Sequence, residues 1–161
     1  MTTDEFRDCL VDYYQTEVLG EALFEALIGT FSDPDHAYKI GSLLQLETET
    51  KARLRPAIIQ LGGSVEELEQ SRKTGRELAH SIAGGDWQDF VSVLNSAGEP
   101  LLNRQREVAE TAPSAYRELA ESMRVHGESI QSFTEAELAG EESLSIDEVV
   151  EQLKFPLQPP R

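Results

Sequence analysis

Apolar residues recur at steps of three and four along most of the chain, which is the spacing of one face of an α-helix. Glycine, proline and capping residues divide this pattern into four long helices and a short one. The predicted helices span about residues 3–29, 35–61, 86–112, 114–139 and, together with the tail, 145–161. No segment shows the alternation of apolar and polar residues that is typical of a half-buried strand. The pattern therefore predicts one all-α domain over residues 1–161.

Prolines and capping residues predict where these helices bend and begin. Pro56 falls inside the second long helix, where the missing N–H donor predicts a kink or an early end, and Pro100 predicts a bend in the first half of the third. Ser64-Val-Glu-Glu67 and Ser145-Ile-Asp-Glu148 match the capping box, and each predicts the start of a short helix. A further short helix is predicted at about residues 72–83.

The lengths of the connections constrain the topology. The first and second helices are joined tightly, as are the third and fourth, so each pair is predicted to form an antiparallel hairpin. Residues 62–85 are long enough to travel the length of a bundle. An order of tight, long and tight connections matches the ferritin-like four-helix bundle with its single crossover, whereas an up-and-down bundle has three short loops.

The composition limits the partners expected of the chain. Its 161 residues include 14 Lys and Arg against 30 Asp and Glu, a net charge of −16. Such a charge repels phosphate backbones and anionic lipids, so we expect neither nucleic acid nor a membrane as a partner. No apolar run approaches the roughly 18 residues of a membrane helix. The single cysteine, Cys9, and an acidic N-terminus without signal-peptide character favour a cytoplasmic protein.

Two glutamates interrupt the apolar faces of the first two helices. Glu17 lies one turn after Tyr13, and Glu47 occupies a position where leucine is expected. Glu21 lies one turn beyond Glu17, at the edge of the same face. A buried carboxylate is unfavourable unless a cation, a proton or hydrogen bonds compensate it. Because ferritin-like di-metal sites use a Glu from each of two helices and Glu-x-x-His from the other two, these positions predict a metal site.

The rest of that ligand pattern is incomplete. His126 lies on the apolar face of the fourth helix, but the residue three before it is Met123 rather than Glu, and the residue three after Glu47 is Thr rather than His. The expected inward set is Glu17, Glu47 and His126, with the neighbours Glu21, Thr50, Lys51 and Gln105. Two carboxylates and one imidazole suit a single iron, manganese or zinc ion with open coordination positions.

Three segments resemble a bacterial group of ferritin-like proteins. They are YQTEVLGEALF (14–24), LLQLETETKARL (43–54) and HGESIQSFTEAELAG (126–140), and the resemblance spans about residues 5–157. That superfamily includes di-iron oxidases, oxygenases, peroxidases and iron-storage shells. The resemblance implies the fold, and it implies these metal ligands by position: Glu17 or Glu21 on the first helix, Glu47 on the second and His126 on the fourth.

The residues leave two functions open. In the first, Glu17, Glu47 and His126 bind iron, or manganese or zinc, and the chain is a metal-dependent oxidoreductase that activates oxygen or peroxide. In the second, the chain is a metal-free helical protein that acts through partners and is homodimeric through an exposed apolar face, with Glu17 and Lys51 as an interior ion pair. We disfavour iron storage because nothing signals a nucleation surface beyond diffuse acidity.

The other notable polar residues are assigned structural roles. Cys9 has no histidine partner in sequence and is expected to be a small buried residue. The acidic residues near the end of the fourth helix are expected to form a solvated acidic end: Glu135, Glu137, Glu141 and Glu142.

Overall fold

The structure is a computed structural model that describes residues 1–160, and within that range it consists of helices and loops with no strand. Its helices are α1 Thr3–Leu27, α2 Pro34–Gln60, α3 Glu69–Ile82, α4 Trp87–Thr111, α5 Arg117–Leu138 and α6 Asp147–Val150. The predicted all-α class is therefore confirmed, with α1, α2, α4 and α5 as the four long helices. The start of α5 is later than predicted because Ser114–Tyr116 form a 3₁₀ turn after Pro113.

Local capping explains where the long helices begin. Thr2 and Glu5 form a capping box at the start of α1, and Asp86 and Asp89 form another at the start of α4. Asp33 caps α2 through its side chain. These side chains accept hydrogen bonds from backbone N–H groups that have no partner within the helix. The caps fix the register of the helices that carry the buried polar residues.

The crossover between α2 and α4 contains one helix rather than the two that the pattern predicts. Residues 63–68 are not helical, so the predicted helix at Ser64–Glu67 is wrong. The Ser64 hydroxyl accepts from the Glu66 N–H in a local turn. The Gln15 side chain donates to the Glu66 carbonyl and accepts from the Leu68 N–H. Bonds to α1 therefore replace the intrahelical bonds that a capping box would have started.

Two further local predictions are corrected. Helix α2 continues through Pro56 to Gln60, so the early end considered there is absent, and α4 contains Pro100 within its span to Thr111. The capping box at Ser145 is absent, because its hydroxyl donates to the Glu137 carboxylate instead and α6 begins without a side-chain cap.

The tail after α6 lies along α2. The Glu49 carboxylate accepts hydrogen bonds from the backbone N–H groups of Lys154 and Phe155, at 2.7 and 3.0 Å. The Leu157 side chain packs so closely on Gly41 that a Cβ there would lie 2.7 Å from it. A side chain at position 41 would therefore displace the tail.

Two apolar clusters fill the core, one towards each end of the long helices. The first includes Leu23, Phe24, Leu27, Ile40, Leu43, Leu46, Phe90, Val91 and Phe133. The second includes Phe6, Leu10, Tyr13, Tyr14, Leu54, Ile58, Val108 and Met123. Between the two clusters, α1, α2, α4 and α5 each bury a polar residue: Glu17, Glu47, Gln105 and His126. The structure thus has a polar layer between two apolar ones.

The long helices pack mainly as α1 against α2 and α4 against α5, and α3 packs against α1. The contact between α3 and α1 is close at Gly75, where a Cβ would lie 2.3 Å from the Leu19 carbonyl oxygen. Only glycine fits this position, so the crossover is held against the helix that carries Glu17. Among residues 1–160, no helix combines the length and the apolar character that crossing a bilayer requires.

Candidate metal centre

Three of the four predicted ligands converge in the polar layer. Glu17 from α1, Glu47 from α2 and His126 from α5 are 2%, 5% and 4% exposed. One ligand atom from each residue lies within 4.8 Å of the other two. These residue types are ordinary ligands of iron, manganese and zinc. The structure therefore contains a buried group that can hold a metal ion at the place predicted from the sequence.

The distances within this group suit an ion better than direct hydrogen bonds. His126 Nε2 lies 3.6 Å from Glu17 Oε2 and 3.9 Å from Glu47 Oε1. Both distances exceed the roughly 3.2 Å limit of a good N–H···O bond. Two metal–ligand bonds of about 2.0–2.2 Å span up to about 4.4 Å, so an ion placed between His126 and either carboxylate can contact both.

The strongest test of the fit is an unsatisfied atom. Glu17 Oε2 is enclosed and has no hydrogen-bond partner among the described residues. Buried polar atoms in folded proteins almost always have a partner, and a buried carboxylate oxygen without one is particularly unfavourable. A cation between Glu17, Glu47 and His126 would supply the missing partner. The residues present therefore fit a bound metal ion.

His126 is oriented by a residue from α2. Thr50 Oγ1 lies 3.2 Å from His126 Nδ1, on the side of the ring opposite the two carboxylates. When Nδ1 carries the proton and donates to Thr50, the lone pair of Nε2 faces Glu17 and Glu47. Such contacts fix the ring orientation and the tautomer of histidine ligands. Position 50, where the sequence pattern lacks a second histidine, thus holds a residue that positions the one histidine present.

The two carboxyl groups affect each other. Burial raises the pKa of Glu47 well above its ordinary value, and the negative charge of Glu17 raises it further. Without a cation, the pair therefore retains a proton at pH values where an exposed glutamate is ionised. Gly20 allows this packing, since a Cβ there would lie 2.7 Å from the Glu47 carboxyl group.

The structure does not bring the fourth predicted ligand, Glu21, into this group. One of its oxygens accepts from the Thr48 hydroxyl, and the other binds Lys51 and Arg72 at 2.6 and 3.2 Å. Burial disfavours the charged form, but the bonds from Lys51, Thr48 and Arg72 outweigh it and lower the pKa of Glu21. Glu21 is thus an ionised, fully bonded carboxylate beside the candidate site.

The predicted ion pair between Glu17 and Lys51 is wrong. Lys51 Nζ binds Glu21 at 2.6 Å and Glu67 at 2.5 Å. Glu67 lies in the non-helical part of the crossover, next to Arg72, so the ammonium is drawn towards α3 and away from the polar layer. No lysine or arginine therefore neutralises Glu17 and Glu47 by direct contact within the described residues.

Gln105 from α4 completes the layer without a partner. It is 5% exposed, and its Oε1 atom is enclosed without a hydrogen bond. A Cβ at Gly127 would lie 1.7 Å from this oxygen, so the amide occupies space that exists only because residue 127 is glycine. Gln105 is therefore a neighbour of the candidate metal centre, as predicted, and its amide oxygen has no partner.

Sequence reasoning misses a further buried carboxylate. The sequence predicts Glu137 on a solvated acidic end, but Glu137 is fully buried and binds Lys39 Nζ at 2.7 Å. Its other oxygen accepts from Trp87 Nε1 at 2.6 Å. A signal was present, because Glu137 lies four residues after Phe133 on the apolar face of α5. The acidic residues around it, Glu135, Glu141 and Glu142, favour a solvated position and hide this signal.

Comparison of the chain with models of protein families, with curated proteins and with solved structures finds no match. The functional interpretation therefore rests on the residues of the polar layer.

Proposed function

We propose that the chain is a ferritin-like helical bundle that binds one transition-metal ion through Glu17, Glu47 and His126, and acts as a metal-dependent oxidoreductase. The observation that carries this proposal is the unpartnered Oε2 atom of Glu17, which faces two other ligand groups in a buried layer. An apolar core that only needed to be filled would hold leucine at these positions.

The fold part of the proposal is supported by the order of the helices. Helices α1 and α2 are joined by a short turn, as are α4 and α5, and residues 61–86 with α3 form the long connection between the pairs. This is the order of connections found in ferritin-like bundles, whose metal ligands project inward from the long helices. Glu17, Glu47 and His126 lie on three of those helices.

The residues of such a site have different roles. The carboxylates of Glu17 and Glu47 offset the charge of a divalent ion, and His126 provides a neutral nitrogen ligand held by Thr50. When bound, iron or manganese supplies one-electron chemistry at coordination positions that three protein ligands leave open. The apolar clusters cover the site towards both ends of the long helices.

Metal content after reconstitution tests this proposal. The protein is loaded anaerobically with ferrous iron, desalted and measured by mass spectrometry, with manganese and zinc in parallel. We expect about one ion per chain, and Glu47→Ala reduces it to background because one of three ligands is lost. Glu107→Ala is the matched control, since Glu107 is an exposed glutamate of α4. Retention of zinc without iron or manganese contradicts the oxidoreductase part and leaves the metal site standing.

A metal-free bundle that acts through partners is the second candidate. The raised pKa of Glu47 favours it, because a shared proton lets two buried carboxyl groups coexist without an ion. No retained iron, manganese or zinc in the same experiment supports this candidate and contradicts the first. Unchanged iron content in the Glu47→Ala variant excludes the proposed ligand set.

A further inference from the structure

A cavity of about 110 Å³ lies beside the candidate metal centre, between α1, α4 and α5. Its walls are mostly apolar, and they include Leu23, Phe24, Leu94, Ala97, Leu101 and Ile130. Its polar lining is formed mainly by Glu17, Glu47, Gln105 and His126. The cavity is therefore an apolar space that borders the polar layer.

The cavity has an entrance on the outer face of α4. Ala97 and Leu101 line it and are exposed, and Leu101 retains 40% of its accessible surface. Neighbouring positions Gly20, Gly98 and Gly127 contribute no side chain to the lining. A small molecule can therefore reach the polar layer from solvent through this cavity, along its apolar walls.

Gln105 is the polar group best placed to bind such a molecule. Its side chain is 95% buried and lines the cavity, and its Oε1 atom is enclosed without a hydrogen-bond partner among the described residues. A buried amide oxygen without a partner is unfavourable, since the unmade hydrogen bond loses the solvation of that oxygen. The amide offers both an acceptor and a donor, so a hydroxyl or carboxamide group satisfies it.

We propose that this cavity binds a small neutral molecule with an apolar body of about four or five carbons and one polar group that hydrogen-bonds to Gln105. The size follows from the volume, because this cavity of about 110 Å³ is smaller than the cavity of about 150 Å³ that accommodates six-carbon benzene. The charge follows from the surroundings. Glu17 and Glu47 repel anions, and the apolar walls disfavour any charged group that leaves water.

The role of this molecule follows from its position next to Glu17 and Glu47. A ligand in the cavity lies against the residues proposed to hold the metal ion, so its identification as the substrate rests on the proposed function. The binding of the molecule does not rest on the proposed function, because the apolar walls and Gln105 are independent of any ion. Binding can therefore be measured on protein from which metal has been removed.

The test is a titration of chelator-treated protein with cyclopentanol, followed by isothermal calorimetry and by amide chemical shifts. We expect saturable binding of one molecule per chain, with shifts centred on the lining of the cavity. Gln105→Met keeps an unbranched side chain of similar length and removes the amide. It should weaken cyclopentanol binding on the order of tenfold and leave cyclopentane binding unchanged.

A matched pair of substitutions locates the site. Ala97→Phe places a ring at the entrance and should reduce cyclopentanol binding at least tenfold. Ala52→Phe introduces the same ring on the exposed face of α2, away from the cavity, and should have no effect. If the two variants reduce cyclopentanol binding equally, the proposed location of the site in this cavity is overturned.

Other outcomes separate the two proposals. Absence of saturable binding by both cyclopentanol and cyclopentane overturns the ligand site, whatever the metal content. Tighter binding of cyclopentylamine or cyclopentanecarboxylate than of cyclopentanol overturns the neutral class. If the protein binds cyclopentanol but retains no metal in the reconstitution experiment, the ligand site is supported and the substrate role is overturned. Retained metal without cyclopentanol binding leaves the proposed function intact and overturns this inference alone.

Discussion

Two groups of buried carboxylates in this protein have opposite surroundings. Near one end of the core, Glu137 binds Lys39, and its second oxygen accepts from the Trp87 indole N–H. In the middle of the core, Glu17 and Glu47 lie beside each other without a lysine or arginine in contact. Both regions bury negative charge, but only the first compensates it with groups of the protein.

The Glu137 region has the features of a structural ion pair. Lys39 also binds Asp35 at 2.6 Å and donates to the Glu142 carbonyl oxygen at 3.0 Å. Burial disfavours the charged ammonium, yet Asp35 and Glu137 outweigh it and keep the pKa of Lys39 above its ordinary value. The pair joins α2 to α5 and to the loop that follows. Such complete bonding leaves no position for a ligand.

The polar layer has the opposite features. Glu17 and Gln105 each have an enclosed oxygen without a partner, and Glu47 is held in a state that favours its protonated form. Burial alone therefore does not identify a functional carboxylate. The distinction lies in whether the protein supplies the partners, because a group left incomplete is available to an ion or a small molecule.

The largest expected effect on stability comes from breaking the complete region. Lys39→Met leaves Glu137 buried without its cation and should lower the free energy of unfolding by about 3–5 kcal/mol. The double variant Lys39→Met/Glu137→Leu removes both charges and should recover most of that loss. Urea denaturation followed by circular dichroism measures both. A loss below about 1 kcal/mol in the single variant contradicts the structural role of the pair.

In the polar layer, the largest effect of a substitution should be on metal affinity rather than on stability. Thr50→Val removes the hydroxyl that orients His126 and should weaken metal binding about 10–100-fold, the usual effect of losing such a contact. Thr48→Val is the control, because Thr48 lies on the same helix and bonds to Glu21 rather than to His126. Affinity is measured by competition with a chelator of known strength. Equal losses in the two variants would show that His126 does not depend on Thr50.

The apolar faces of the helices predicted those site residues that can be recognised from the pattern of a single helix. Glu17, Glu47 and His126 each interrupt an apolar face, and that interruption can be recognised without knowing the neighbouring helix. The partner of Lys51 could not be recognised in this way. Its long side chain reaches Glu67, and the path of that non-helical segment depends on bonds to Gln15 from α1.

Glu137 is a second residue whose partners could not be recognised from the pattern of a single helix. Its spacing from Phe133 places it on the apolar face, but an acidic residue at a helix end is ordinarily solvated. Its burial is explained by Lys39 and Trp87, which come from α2 and α4. Pairings between helices are decided by tertiary packing, so one sequence supplies the positions of polar residues more readily than their partners.

Acid titration should distinguish Glu21 from the neighbouring Glu47. The pKa of Glu21 is lowered in the folded protein, so its contribution to stability is present above the ordinary value of 4.5 and is lost as pH falls through the lowered pKa. Glu21→Gln should therefore lower the free energy of unfolding by about 1.5–3 kcal/mol near pH 7. The difference from the parent protein should disappear in acid. A difference that is constant with pH contradicts the ion-pair role.

The smallest effect, and the one that compares the two regions most directly, is that of Glu47→Gln in metal-free protein. The pKa of Glu47 is raised in the folded state, so at neutral pH folding must bind a proton or bury a charge. Glutamine resembles the protonated acid and removes this requirement, so the variant should be more stable than the parent by about 1 kcal/mol. Glu137→Gln removes a bonded charge and should be destabilising. Urea denaturation with chelator present measures both signs. If Glu47→Gln destabilises the protein as Glu137→Gln does, the Glu17–Glu47 pair is a structural element like the other, and the comparison on which the metal site rests is lost.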